Sequence, residues 1–178
     1  IIPHYNGIEV LSECLDSLFQ STYPNIEVIV VDNGSSDDSV DWLKINYSQV
    51  IVIENDRNLG YAGGCNTGAL AASGEYLLFL NNDTIHNPDF VELLADFLDL
   101  NSKVAAVQPK ILNYFHKDQF DYAGGAGGWL DVLGYPFARG RVFLERDIDS
   151  GQYDKIRPIF WASGTAIMVS KMVFDAVD

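Results

Sequence analysis

Positive charge is scarce in this chain. Eleven lysines and arginines stand against 25 aspartates and glutamates, a formal net charge of −14 over 178 residues. That balance disfavours a nucleic-acid backbone or an anionic lipid surface as the main partner. It leaves a nucleotide open, because a bound divalent cation offsets local phosphate charge. Cysteine is nearly absent: Cys14 and Cys65 are the only two, and neither belongs to a C-x-x-C pair. Both fall in expected helices, so each reads as a buried free thiol. This fits a reducing compartment, the cytoplasm, up to the inner face of a membrane. No run approaches the ~18 apolar residues of a membrane span, and no signal peptide is visible. Membrane contact is therefore expected only through parts outside this chain. His4, His86 and His116 show no ligand spacing and read as structural or exposed. Internal repeats and low-complexity linkers are also missing, so residues 1–178 are read as a single domain. The chain opens inside an apolar strand at Ile1-Ile2 and ends at Val177-Asp178 after a helical pattern, and reads as a fragment cut at both ends.

What is present is ordinary globular composition, 48% hydrophobic and 20% charged, arranged in alternating periods. Ile1-Ile2 is the stub of a first strand. Asn6 with Glu9 three residues later forms a capping-box pattern, ahead of Leu11, Leu15, Leu18 and Phe19 at helical spacing. Ile26–Val31 is a β-branched strand. Ser35 or Ser36 caps a helix with an apolar face of Val40, Leu43 and Tyr47. Val50–Ile53 is a third strand. Gly60–Ala72, rich in Gly and Ala, is a helix pressed close to a sheet. Tyr76–Leu80 is a fourth strand. Asn87 as cap and Pro88 as first helical residue open a helix with a stripe of Val91, Leu94, Ala95 and Leu98. Val104–Val107 is a fifth strand. This alternation predicts an α/β domain with a largely parallel sheet. Residues 113–158, rich in Gly and aromatics, show no helix. Gly124-Gly125-Ala126-Gly127-Gly128 lacks the strand before it and the helix after it that a phosphate loop needs, and reads as a loop or hairpin crossing. Phe160–Val169 returns to the sheet, and Ser170 caps a last helix carrying Val173, Phe174 and Val177.

Four polar clusters follow the first four strands: Pro3-His4-Tyr5-Asn6, Asp32-Asn33-Gly34-Ser35-Ser36-Asp37, Arg57-Asn58-Leu59-Gly60 and Asn81-Asn82-Asp83. In a parallel sheet these strand ends share one edge, where ligands bind. The sharpest case is the apolar run Leu77-Leu78-Phe79-Leu80, which stops at two amides and a carboxylate. Asn81 and Asp83 offer hard oxygens suited to Mg²⁺ or Mn²⁺. The same Asn-Asn-Asp-Thr also makes an ordinary turn, so for this segment alone both readings stand.

With these motifs in order, the chain resembles a family 2 glycosyltransferase of the GT-A fold. The resemblance rests on Pro3-His4-Tyr5-Asn6, Val30-Val31-Asp32-Asn33-Gly34-Ser35-Ser36-Asp37, Asn58-Leu59-Gly60-Tyr61-Ala62-Gly63-Gly64-Cys65-Asn66, Leu80-Asn81-Asn82-Asp83-Thr84 and Gly164-Thr165-Ala166. It covers nearly the whole chain and leans toward a rhamnosyltransferase-like branch. It implies a Rossmann-like, mostly parallel central sheet flanked by helices, with a hairpin-rich C-terminal part. It also implies a nucleotide site. Asp32 would accept the imide N–H of uracil or thymine, or else only cap its own turn. Pro3, Tyr5 and Asn6 would wall the nucleoside, with core packing the second reading for Tyr5. Arg57 would approach the base or the diphosphate, or stand solvated. Asn66 would brace the loops. Asn81 would stand at the ribose, where the family carries the first Asp of its D-x-D motif, with Asn82 beside it and Asp83 as the metal ligand. Trp161 would stack on a sugar face or pack in the core.

The implied reaction is an inverting transfer of a sugar from a UDP- or dTDP-linked donor to a saccharide or lipid-linked acceptor, in cell-surface polysaccharide synthesis. Mn²⁺ or Mg²⁺ would offset charge on the leaving diphosphate. The family's catalytic base lies after the Gly-Thr-Ala segment, and is expected beyond Asp178. Asp175 and Asp178 read as helix-surface residues. The chain as it stands is therefore expected to bind donor without transferring sugar. Two other readings remain. One is a non-catalytic nucleotide-sugar-binding module. The other is a nucleotidyltransferase, weakened by the lack of a Gly-rich N-terminal segment with nearby Arg and Lys.

Overall fold

The computed structural model describes residues 1–177; Asp178, expected on the surface of the last helix, lies outside the described residues. Strands and helices alternate through the first part of the chain: β1 (Ile2–His4), α1 (Ile8–Leu18), β2 (Ile29–Asp32), α2 (Ser39–Asn46), β3 (Ile51–Glu54), α3 (Gly60–Ala71), β4 (Tyr76–Leu80), α4 (Phe90–Leu100) and β5 (Ala106–Val107). Two short hairpins follow, β6 (Gly128–Leu130) with β7 (Pro136–Ala138) and β8 (Arg141–Val142) with β9 (Glu145–Arg146). The chain then closes with β10 (Ala166–Ser170) and α5 (Lys171–Val177).

β1, β2 and β3 form a parallel sheet, with Ile2 opposite Val30 and Ile29 opposite Ile51. Two bonds knit β4 to this sheet. The Ile1 amino group donates to the Leu78 carbonyl at 2.8 Å, and the Leu80 amide donates to the Ile1 carbonyl at 3.0 Å, the bond pair of a parallel ladder. β10 lies antiparallel between β4 and β5, with Ala166 opposite Leu80 and Met168 opposite Val107. The order across the sheet is β3-β2-β1-β4-β10-β5. The predicted fifth parallel strand is thus present but shorter. It is separated from β4 by the one antiparallel strand, which starts six residues later than the apolar pattern from Phe160 indicates.

Alternation along the strands divides the core between two faces. Ile2, Val30, Leu80, Ala166 and Met168 pack with Leu11, Leu15, Leu43, Leu94 and Leu98 of α1, α2 and α4. Leu77 and Phe79 pack with Cys65 and Ala69 of α3 and with Ile167, Val169 and Phe174. Helix α3 lies close to the sheet because its glycines permit it. A Cβ on Gly64 would stand 2.9 Å from the Pro3 Cβ, and one on Gly68 would strike the Ile1 side chain. Val177, expected on the apolar face of α5, is 79% exposed.

Three expected helix caps fall elsewhere. Asn6 does not cap α1. It adopts a left-handed backbone (φ 56°), and its Oδ1 accepts the amides of Ser36 and Asp37 from the next loop. Gly7 stands at the N-cap without a side-chain bond. Asp38, not Ser35 or Ser36, precedes α2, and Asp89, not Asn87, precedes α4. In the first two cases a bond to a distant loop outcompetes the local cap. For α4, Pro88 stays outside the helix and gives its carbonyl to the Thr22 amide at 2.8 Å.

The Gly124–Gly128 run is no phosphate loop. It wraps the Trp161 indole: a Cβ on Gly124 would stand 3.0 Å from the ring, and one on Gly128 would overlap it. Trp161 therefore packs, although its Nε1–H is buried without a partner among the described residues. Among the described residues no helix is long and apolar enough to cross a membrane. Cys14 and Cys65 are buried free thiols.

Candidate functional site

The carboxyl ends of β1 to β4 reach one edge of the sheet, and the start of β10 meets them there through the Asn81 amide, which donates to the Thr165 carbonyl at 3.0 Å. Asp32 ends β2 and is 3% exposed. Its Oδ2 accepts the amides of Gly34 (3.1 Å) and Ser35 (3.0 Å) and so caps its own turn. Its Oδ1 is buried and has no partner among the described residues. A buried carboxylate oxygen without a donor costs more than a surface one, so this atom can take one further hydrogen bond.

The loops around Asp32 are held by reciprocal bonds. Asn6 accepts from Ser36 and Asp37, while the Asn6 amide donates to Ser35 Oγ (2.9 Å) and the Gly7 amide to Asp37 Oδ2 (2.8 Å). Asn33 staples the other side: its Nδ2 donates to the Gly60 carbonyl (3.2 Å) and its Oδ1 accepts from Asn55 Nδ2 (2.9 Å). Pro3 is buried under Gly64, and Tyr5 is 50% exposed. Gly34, at φ +78°, leaves room for the Arg57 backbone, 3.2 Å from where its Cβ would stand. Arg57 itself is exposed, and its guanidinium makes no ion pair among the described residues.

At the end of β4, Asn81 and Asn82 are half-buried and Asp83 is exposed. Asn82 Nδ2 meets His4 Nδ1 at 3.0 Å, and His4 Nε2 meets Ser39 Oγ at 2.9 Å. Thr84 Oγ1 donates to the Asn81 carbonyl (2.8 Å) and contacts His86 Nε2 (2.9 Å). Burial lowers the pKa of His4, against the opposing charges of Asp32 and Asp37. Burial also pulls His86 down to about 4, so both rings are neutral near pH 7. The Cys14 thiol, near the Asn81 carbonyl, is pushed up to about 11 by burial and is inert. Tyr61 donates to the Gly164 carbonyl, and its pKa is raised by burial, by Cys65 and by the charge of Asp83. The start of α3 thus meets the turn before β10.

A cation fits here only with help. Among the described residues no three His, Cys, Asp or Glu side chains converge on one point. One carboxylate and neighbouring amide oxygens suit Mg²⁺ or Mn²⁺ when substrate phosphates supply the other ligands. The edge therefore collects Asp32 at the end of β2 and Asn81, Asn82 and Asp83 just after β4, with the Arg57 backbone against Gly34 in the loop after β3. Pro3 lies beneath the edge, Asn6 braces it and Tyr5 stands exposed beside it. His4 and His86, read as structural or exposed for want of ligand spacing, are structural, and their side-chain partners are hydroxyls and an amide. One signal for His4 was available: it shares a strand face with the buried Ile2, so it points inward.

A profile of the family described as Glycosyl transferase family 2 matches residues 1–172. Glycosyltransferase GlyG of Streptococcus pneumoniae is 33% identical over 68% of this chain and 40% of its own length. Poly(ribitol-phosphate) beta-glucosyltransferase of Bacillus spizizenii is 44% identical over 47% of this chain and 14% of its own length. The chain thus covers well under half of these relatives. Among solved structures, TarS 1-349 of S. aureus in complex with UDP superposes with a TM-score of 0.70 at 21% identity, over 100% of this chain and 48% of that one. The mannosyltransferase PcManGT of Pyrobaculum calidifontis, in complex with GDP-Man and Mn²⁺, superposes with a TM-score of 0.64 at 19% identity, over 99% of this chain and 45% of that one. Both establish the GT-A fold.

Proposed function

We propose, because this chain belongs to glycosyl transferase family 2, that it provides the donor site of an inverting glycosyltransferase using a UDP- or dTDP-linked sugar. The observation that carries this reading is the buried Oδ1 of Asp32 at the sheet edge, which has no partner among the described residues. A uracil or thymine imide N–H is a donor of the right kind for it, and a carboxylate accepts such a bond strongly. Tyr5, with Pro3 behind it, walls the nucleoside, and Asn6 holds that wall in place. Asn81 meets the ribose, with Asn82 beside it. Arg57 and the Asp83 end of the β4 loop face the diphosphate. A divalent ion on Asp83, when bound, offsets charge on the departing diphosphate.

In the transfer, the bond from the anomeric carbon to the diphosphate breaks as an acceptor hydroxyl bonds from the opposite side. The hydroxyl proton passes to a base. Among the described residues we assign no carboxylate to that role. The acceptor class is a saccharide or lipid-linked saccharide of cell-surface polysaccharide synthesis, a reading supported by the name of the Bacillus relative.

The two solved neighbours carry different bases, uracil in one and guanine in the other, so the base is the point to test. Calorimetry with UDP, dTDP and GDP, each with Mn²⁺, is expected to rank UDP or dTDP above GDP. Equal affinity for all three removes Asp32 from base recognition.

A further inference from the structure

Two histidines without a role in that reading bracket the Asp83 carboxylate through its sequence neighbours. His4 is 1% exposed and lies between Asn82 and Ser39. The partners decide its tautomer. Ser39 Oγ gives its proton to the Asp37 carboxylate, so it must accept from His4 Nε2–H; Nδ1 is left to accept, and only the NH₂ end of the Asn82 amide can meet it. Ser39 Oγ accepts from Nε2–H and donates onward to Asp37 Oδ1, while Asp37 Oδ2 accepts the Gly7 amide. Every link from Asn82 to Asp37 is satisfied in one direction. The consequence lies at Asn82: its NH₂ end is committed to His4, and its Oδ1 has no partner in the chain among the described residues.

His86 works on the other side. Thr84 Oγ1 gives its proton to the Asn81 carbonyl, so it accepts from His86 Nε2–H. His86 Nδ1 lies 3.0 Å from Ser17 Oγ, whose one proton also points to the Cys14 carbonyl at 2.9 Å, the His86 amide donates to the same hydroxyl at 3.2 Å, and the ring stacks on Phe90 with centroids 4.6 Å apart. The residues before and after Asp83 are each tied to a neutral imidazole anchored in the body of the fold.

We infer that His4 and His86 are positioning residues for the cation and diphosphate end of the donor site, an inference that rests on the donor-site reading above. His4 selects which end of the Asn82 amide faces the ligand. Turned end for end, Asn82 presents an NH₂ group, which repels a cation and cannot ligate it. His86 holds the short loop that carries Asp83. Partners one step removed from a metal orient its ligands, and their loss costs about 10–100-fold in metal affinity.

The test is Mn²⁺ binding to the protein with UDP present, read by loss of the free-ion electron paramagnetic resonance signal. UDP affinity in EDTA and the melting temperature are measured alongside. His4→Phe keeps ring volume and drops both bonds. Its expected result is Mn²⁺ affinity about 10-fold weaker, with a clearly smaller change in UDP affinity in EDTA. His4→Gln, which keeps an acceptor and a donor on one side chain, is expected to recover most of the loss. A role in packing alone predicts no such recovery. Should His4→Phe fail to fold, Ser39→Ala and Thr84→Val each remove one link and leave both rings in place. Each is expected to weaken Mn²⁺ binding. Unchanged Mn²⁺ affinity across these variants overturns the inference. A failure of the unaltered protein to bind Mn²⁺ with UDP overturns the reading beneath it, and the inference falls with it, so the two failures are distinct.

Discussion

Asp32 carries two tasks on one carboxylate, and a single substitution separates them. Asp32→Asn retains an oxygen for the Gly34 and Ser35 amides but turns an NH₂ toward the position of Oδ1. UDP affinity is expected to fall by about 1.5–3 kcal/mol, the range for a hydrogen bond to a charged group, while the melting temperature stays close to the original. Asp32→Ala gives up the turn as well, so it is expected to cost stability in addition. A UDP titration of Asp32→Asn that overlays that of the unaltered protein rejects the assignment. Asp83→Asn is expected to abolish the Mn²⁺ or Mg²⁺ enhancement of UDP binding and leave the fold intact. Overlapping titrations of the unaltered protein with and without EDTA reduce Asp83 to a turn residue. At this scale the strand-end residues were legible, because an apolar run that stops at Asn-Asn-Asp marks its own end. Asn6 was not, because its partners, Ser36 and Asp37, lie in another loop and no local rule weighs them against a cap.

Among the elements, α3 depends on closeness. The Gly64 position faces Pro3 and the Asn33 amide, at 2.9 and 3.0 Å from an added Cβ, and neither neighbour is free to turn away. Gly64→Ala is therefore expected to destabilise by about 1–3 kcal/mol through overpacking, offset by up to ~1 kcal/mol of helix propensity. Chemical denaturation measures the net loss, and a gain in stability contradicts the packing. The α1 to β4 contact titrates. His86 is neutral in the fold, with its pKa lowered by burial from 6.5 to about 4. The unfolded chain takes up that proton first, so stability is intact above pH 6.5 and falls as the pH drops toward 4. The full effect of such a shift is about 3 kcal/mol. Urea midpoints for His86→Gln are expected to depend less steeply on pH in this window. A slope equal to that of the unaltered protein excludes His86 as the source. The periods of α1, α4 and β4 were plain in the chain, since each carries a clear apolar stripe or run. The partner of β5 was not, since a two-residue strand holds no record of which neighbour it pairs with or in which direction.

For the molecule as a whole, a net charge of −14 means self-repulsion that salt screens. The melting temperature is expected to rise between low and physiological ionic strength, and a fall shows that favourable ion pairs outweigh the repulsion. Among the described residues those pairs are few and mostly exposed; the least exposed of them joins Lys110 to Asp149 at 2.5 Å. The position of β10 has a consequence in time. The parallel half, β1 to β4, is complete in sequence by Leu80, but Ala166 is the residue that pairs with Leu80. As the chain leaves the ribosome, α4 and β5 emerge long before the strand that seats β5 in the sheet. Until β10 arrives, the apolar edge of β4 has no neighbour on that side, and closing so long a loop is slow. Nascent chains arrested before Ala166 thus present an open, sticky sheet edge to proteases and chaperones, and those arrested after α5 do not.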